Sequence, residues 1–158
     1  MDHSWKTGFS FGLTSGIITT LGLISGLLSG TQSKTIVLGG ILTIAVADAF
    51  SDALGIHISE EAEIKHSAKE IWTATFATFI SKFIFSSSFL IPVWFLPLNT
   101  AFIVSIAWGM FLLIIFSYIL AKEQEESPLK VIGEHLLIVI VVLVLTQYIG
   151  KFISEKFC

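Results

Sequence analysis

Two aspartates, Asp48 and Asp52, stand four residues apart in an otherwise apolar stretch, and a denser polar set, Glu60, Glu63, His66 and Glu70, follows them. At about 100° per residue on a helix, Asp48, Asp52, Ser59, Glu63, His66 and Glu70 fall within roughly 60° of one another. Carboxylates and an imidazole at i, i+3 and i+4 can converge on one divalent ion, and oxygen with nitrogen donors suits Mn(II) or Fe(II). Glu60 lies off this track, as do Glu61 and His57, but it adds a carboxylate at the same mouth. The candidate metal ligands are therefore Asp48, Asp52, Glu60, Glu63, His66 and Glu70. The outer four also read as a solvated helix surface in which Glu and Lys are mixed. The inner pair resists that reading, because a carboxylate at the centre of a bilayer costs about 2.5–3.5 kcal/mol on insertion scales.

A third charge in apolar surroundings is Lys82, flanked on its own helix face by Thr75, Thr78 and Ser86. Counting inward at about 1.5 Å per residue puts Lys82 roughly 16 Å, Asp48 roughly 13 Å and Asp52 roughly 8 Å below one membrane surface. These depths predict an ion pair between Lys82 and Asp48. It would either hold two helices together or compete with a cation arriving at Asp48.

The elements that must carry these residues are membrane helices. Of 158 residues, 54% are hydrophobic and 13% charged, against roughly 25% charged in an ordinary soluble domain. No charged residue occurs between Lys6 and Lys34 or between Lys82 and Lys122, and each gap exceeds the roughly 20 apolar residues that cross a bilayer. Five spans are predicted, at 8–30, 35–57, 71–91, 99–121 and 130–150, within a single membrane domain over 1–158. Pro92, Pro97 and Asn99 divide the long uncharged stretch into two of them. The polar segment 59–70 and the acidic stretch 122–128 then share one side with Lys6, Lys65, Lys69, Lys122 and Lys130, against Lys34, Lys151 and Lys156 on the other. The lysine bias predicts an N-terminus and both polar segments in the cytoplasm and a C-terminus on the opposite side. The opening Met1-Asp2-His3-Ser4-Trp5-Lys6 runs into an apolar segment without a small-residue cleavage site, so no removable signal peptide is expected. The lone Cys158 has no internal disulfide partner. A net charge of −3, with every basic residue a lysine, disfavours nucleic acid as a partner.

Along the first span, Gly8, Gly12, Gly22, Gly26 and Gly30 share one face with Ser15 and Thr19. Small residues in this pattern let helix backbones approach closely where lipid supplies no hydrophobic drive. The stripe fits either a homodimer seam through the first helix or packing against another span of the same chain. Glu134 and His135 are expected to open the fifth span, where the macrodipole favours a carboxylate. There is no G-x-S-x-G, Walker loop or H-E-x-x-H, and two aspartates on one helix do not make the facing pair of an intramembrane aspartyl protease, so an enzyme is not expected.

Two stretches carry a family resemblance. Phe11-Gly12-Leu13-Thr14-Ser15-Gly16-Ile17-Ile18-Thr19-Thr20 resembles the first-helix motif of the vacuolar iron transporter family. Ala47-Asp48-Ala49-Phe50-Ser51-Asp52-Ala53-Leu54-Gly55-Ile56-His57-Ile58-Ser59 resembles the second-helix motif. The residues from Ala77 to Pro92 look like the family's third span, and those from Ser127 to Gly150 look like its fifth. The resemblance implies a dimeric exporter of Fe(II) or Mn(II) from the cytosol, driven by proton exchange. Its path, with Ser15, Thr19 and Lys82 beside it, would be lined by first and second helices at a seam made by Gly8, Gly12, Gly22 and Gly26. Against the family pattern, Ser15 replaces an aspartate, Asp52 a methionine and Ile56 a glutamate, Asp48 is an addition, and the cytoplasmic glutamate-rich domain shrinks to 59–70. Losing the thioether makes the site harder and shifts the expected preference towards Mn(II).

The sequence thus predicts an all-α membrane protein of five transmembrane helices, dimeric through the first, with lipid, divalent metal ions and a second copy as partners. No permanently bound cofactor is expected, and Fe(II) or Mn(II) is cargo. The competing expectation is a non-transporting membrane subunit or regulator that keeps the fold, with Asp48 and Lys82 as a structural pair.

Overall fold

The computed structural model describes residues 3–63 and 66–157. Met1, Asp2, Lys65 and Cys158, used in the reading above, lie outside the described residues. Among the described residues there are six helices and no strand: α1 (His3–Thr31), α2 (Lys34–Ala62), α3 (Ala68–Ser88), α4 (Leu90–Phe95), α5 (Leu98–Glu123) and α6 (Pro128–Phe157). Five stretches are long and apolar enough to cross a membrane: α1, α2, α3 with α4 (Ala68–Phe95), α5 and α6. The chain is an all-α integral membrane protein, and its helices overrun the predicted spans at nearly every end.

The breaks have local causes. Gln32, with φ of 52°, takes the left-handed conformation that ends α1, and its N–H reaches back to Leu28 O at 3.1 Å. Beyond α2 the N–H groups of Glu63 and His66 bond to carbonyls three residues back, on Glu60 and Glu63, the tight turn of a helix that is ending. Ser67 starts α3 with a capping box: its side chain accepts from Glu70 N, while the Glu70 carboxylate accepts from Ser67 N at 2.8 Å. The expected single helix through Glu63, His66 and Glu70 is therefore corrected, because Ser67 and Glu70 nucleate a separate one.

Pro92 does not end a helix, as the sequence reading had it. The turn at Phe89 restarts the chain, so Pro92 falls in the first turn of α4, where a missing N–H breaks no intrahelical bond. After α5, Glu125 is left-handed with φ of 57°, and Glu126 N bonds to Ala121 O at 2.9 Å in a Schellman closure. Helix α6 then opens on Pro128, a favoured first position. This corrects Glu134, which stands beyond the first turn and caps nothing.

The chain forms two compact units, Met1–Thr20 with Ile41–Leu90, and Leu21–Gly40 with Ile91–Cys158. In the first, Ala45, Ala49 and Ala53 of α2 and Ala74 and Ala77 of α3 are buried with Leu13 and Ile17 of α1. Gly8 and Gly12 of α1 lie directly on α3: a Cβ at Gly8 would strike Ala74 O, and one at Gly12 would strike Ser81 Oγ and Thr78 O. In the second unit, Ala101, Ser105, Gly109, Leu113, Ser117 and Ala121 form a buried four-residue repeat on α5, which packs on α6. Within that unit a Cβ at Gly22 would come 2.8 Å from Val142 Cγ1, and one at Gly26 3.4 Å from Thr146 O, both on α6. The glycine seam is thus corrected. Carbonyls and a short side chain of α3 fill the space in front of Gly8 and Gly12 that a symmetry mate would need, while Gly22 and Gly26 face α6 of the same chain beside a groove they line with Gly30, Thr146 and Gly150.

Candidate functional site

The first unit holds three charges in its helix-lined interior. Helix α3 carries Lys82 on a face with Thr75, Thr78, Ser81 and Ser86, all buried. Helix α2 presents Asp48 and Asp52 one turn apart, and α1 supplies Ser15. The Lys82 ammonium lies 2.5 Å from Asp48 Oδ2, contacts Asp52 Oδ2 and donates to Ser15 Oγ at 2.9 Å. Ser15 in turn donates its hydroxyl proton to Asp52 Oδ2 at 2.7 Å. Three oxygens from α1 and α2 thus surround one nitrogen from α3.

The expected contact between Lys82 and Asp48 is present, and Asp52 joins it. Depth alone singled out Asp48, but residues at i and i+4 have Cβ atoms only about 5–6 Å apart, so one ammonium can bridge both carboxylates. The Lys82 side chain is fully buried, whereas those of Asp48 and Asp52 keep 29% and 18% exposure. The cation is enclosed, and its two counter-ions each retain an open side. With both carboxylates ionised and the lysine protonated, the cluster carries one net negative charge, and in a low-dielectric interior none of its members is easily removed alone.

Thr19, the other residue placed on the path, bonds its hydroxyl to Ser15 O of its own helix at 2.8 Å. The remaining candidate ligands sit elsewhere. His66 Nδ1 lies 2.8 Å from Glu60 Oε2, and His66 Nε2 lies 3.7 Å from Glu63 Oε2. Glu70 is committed to capping α3 through Ser67. Among the described residues no three of His, Cys, Asp and Glu group as a metal site. The polar track from Asp48 to Glu70 expected from helical periodicity therefore divides, because α2 stops at Ala62. What remains inside the helices is Asp48, Asp52 and Ser15, an all-oxygen donor set of the kind that hard cations and Mn(II) favour.

Two polar contacts escaped the sequence reading. Thr75 donates its hydroxyl to Ile71 O at 2.7 Å, so at its 3.0 Å contact with His57 Nδ1 it must accept, which fixes the imidazole proton on Nδ1. In the second unit, buried Ser117 meets His135 Nδ1 at 2.7 Å. Both pairs join a hydroxyl of one helix to a histidine of another, and no spacing within one helix reveals such a partner. Ser67 and Glu70 were legible: S-x-x-E is the signature of a helix start.

The model of the VIT family matches residues 52–151, more than half of the chain. The match takes in Asp52 and Lys82 and begins after Ser15 and Asp48. None of the curated proteins matches.

Proposed function

The chain belongs to the VIT family, a family of membrane metal-ion transporters rather than enzymes, and on that premise we propose that it exports Mn(II) or Fe(II) from the cytosol by proton exchange. The observation that carries this reading is the cluster of Asp48, Asp52, Ser15 and Lys82 within helices long and apolar enough to span a membrane. Charges at such positions are costly and are kept where ions pass. The oxygen-only donors favour Mn(II) over Fe(II). In this reading the N-terminus is cytoplasmic and the C-terminus lies on the opposite side, as the lysine bias indicates. Glu60 and His66 stand at the cytoplasmic mouth with Glu63 beside them. A second copy remains the proposed partner, with Gly8 and Gly12 turned towards α3 rather than towards it.

The full burial and double pairing of Lys82 favour one other reading, a structural clamp in a protein that no longer transports. Flux into liposomes separates the two. Asp52→Asn is expected to lower Mn(II) flux at least about tenfold, equivalent to 1.4 kcal/mol, with helical content unchanged. Wild type without Mn(II) flux would replace the transporter with the clamp, whereas flux that Asp52→Asn leaves intact would take the path away from this cluster.

A further inference from the structure

We propose that the Lys82 ammonium is a tethered substitute for the cargo: it occupies the cation position of the Asp48, Asp52 and Ser15 site while no metal is bound, and a metal enters by displacing it. The proposal rests on the transporter reading and adds how the empty site is held and how the metal is let go.

Three oxygens converge on Lys82 Nζ, two from carboxylates and one from a hydroxyl, much as they would on a small cation. A divalent ion brought beside the ammonium would meet a like charge held against the same oxygens, so both cannot occupy the site at full strength. The carboxylates are open on one side and the lysine on none, which gives the metal an approach that leaves Lys82 behind the site. The backbone of α3 is pinned there, because a Cβ at Gly16 would already lie 3.1 Å from Lys82 O and from Ser86 Oγ. Exchange therefore belongs to the flexible side chain rather than to the helix.

A displaced ammonium has somewhere to go. Thr78 and Ser86, one turn to either side of Lys82 on α3, are both fully buried. Each spends its hydroxyl proton on a carbonyl, Thr78 on Ala74 O at 2.9 Å and Ser86 on Gly16 O at 3.3 Å. Each oxygen keeps lone pairs to accept an ammonium proton. The lysine thus has a cation position and a resting position within reach of one stem. Its return would expel the metal, so the site trades affinity for release.

The test uses full-length protein in detergent, with Mn(II) as the probe and equilibrium binding and thermal unfolding as readouts. Lys82→Met is expected to bind Mn(II) at least tenfold more tightly than wild type, to gain more thermal stability from added Mn(II), and to release it more slowly in the flux assay. Lys82→Arg keeps the charge and grips both carboxylates through a planar fork, so it is expected to bind Mn(II) at least tenfold more weakly. Lys82→Met combined with Asp52→Asn should lose the gain. Unchanged Mn(II) affinity in a folded Lys82→Met protein, or in Lys82→Arg should Lys82→Met not fold, overturns the proposal. That result with Asp52→Asn still abolishing flux leaves the transporter reading standing, whereas wild type without flux removes that reading itself.

Discussion

The two compact units solve the same packing problem and differ in what they enclose. Each brings α1 or α2 backbone against a later helix through glycine, alanine and serine, the means available where lipid is as apolar as the side chains. In Leu21–Gly40 with Ile91–Cys158 the buried polar groups are hydroxyls, such as Ser25 donating to Leu143 O at 3.2 Å and Ser117 at His135. In Met1–Thr20 with Ile41–Leu90, the same kind of frame encloses a lysine and two aspartates. Close packing by small residues is thus a property of the fold and says nothing about function. The enclosed charges do, and among the described residues they lie in one unit.

Substitutions that perturb packing in either unit should cost stability, and only those in the first should also alter metal handling. The largest effect is expected from Gly12→Leu, whose side chain would be driven into Ser81 and the Thr78 carbonyl. Size-exclusion chromatography should show no monodisperse protein, and a well-folded variant would mean that α1 and α3 are not in contact there. Gly150→Ala comes next, because its Cβ would collide with Gly26 O. A loss of about 1–3 kcal/mol is expected, visible as a lower unfolding temperature, with the Mn(II) affinity of the folded fraction unchanged. A changed affinity would break the division between the units.

Ser117→Ala removes one buried hydrogen bond to His135 and should cost about 0.5–1.5 kcal/mol, again without effect on Mn(II) binding. The smallest change is expected from Gly133→Ala. Nothing lies within 4 Å of a Cβ there, so thermal unfolding should move by less than about 1 kcal/mol and towards greater stability. A clear loss would reveal a neighbour at that face of α6.

The spans were readable because hydropathy is additive along a chain: the uncharged runs after Lys6 and Lys82 leave no alternative to lipid. The contact of Lys82 with Asp48 was readable for a related reason, since depth along a helix is a count of residues. Asp52 was missed as its second partner because depth ignores the reach of a four-carbon stem. The glycine stripe marked a close approach correctly but could not name the partner, as periodicity describes one surface of a pair. Its counterparts, Ala74 on α3 and Gly150 on α6, lie far off in the chain. The outer ligand track failed for a local reason. No glycine or proline separates Ala62 from Ser67, and periodicity was carried through a point where Ser67 and Glu70 offer the backbone a fresh start.

Lys34 opens α2 and aims its ammonium at the end of α4, donating to Trp94 O at 2.7 Å and Leu96 O at 3.1 Å. Those carbonyls have no further helical N–H to accept, so the lysine closes the turn before Pro97. Acylating reagents need free access to the amine nitrogen, and two carbonyl acceptors hold this one against the backbone. A chemical map of the chain's orientation, made by adding an amine-specific, lipid-impermeant label from one side of a vesicle, would therefore under-report Lys34. It would not register the enclosed Lys82 at all. Lys151 and Lys156, both exposed on α6, are the residues on which such a map should be built.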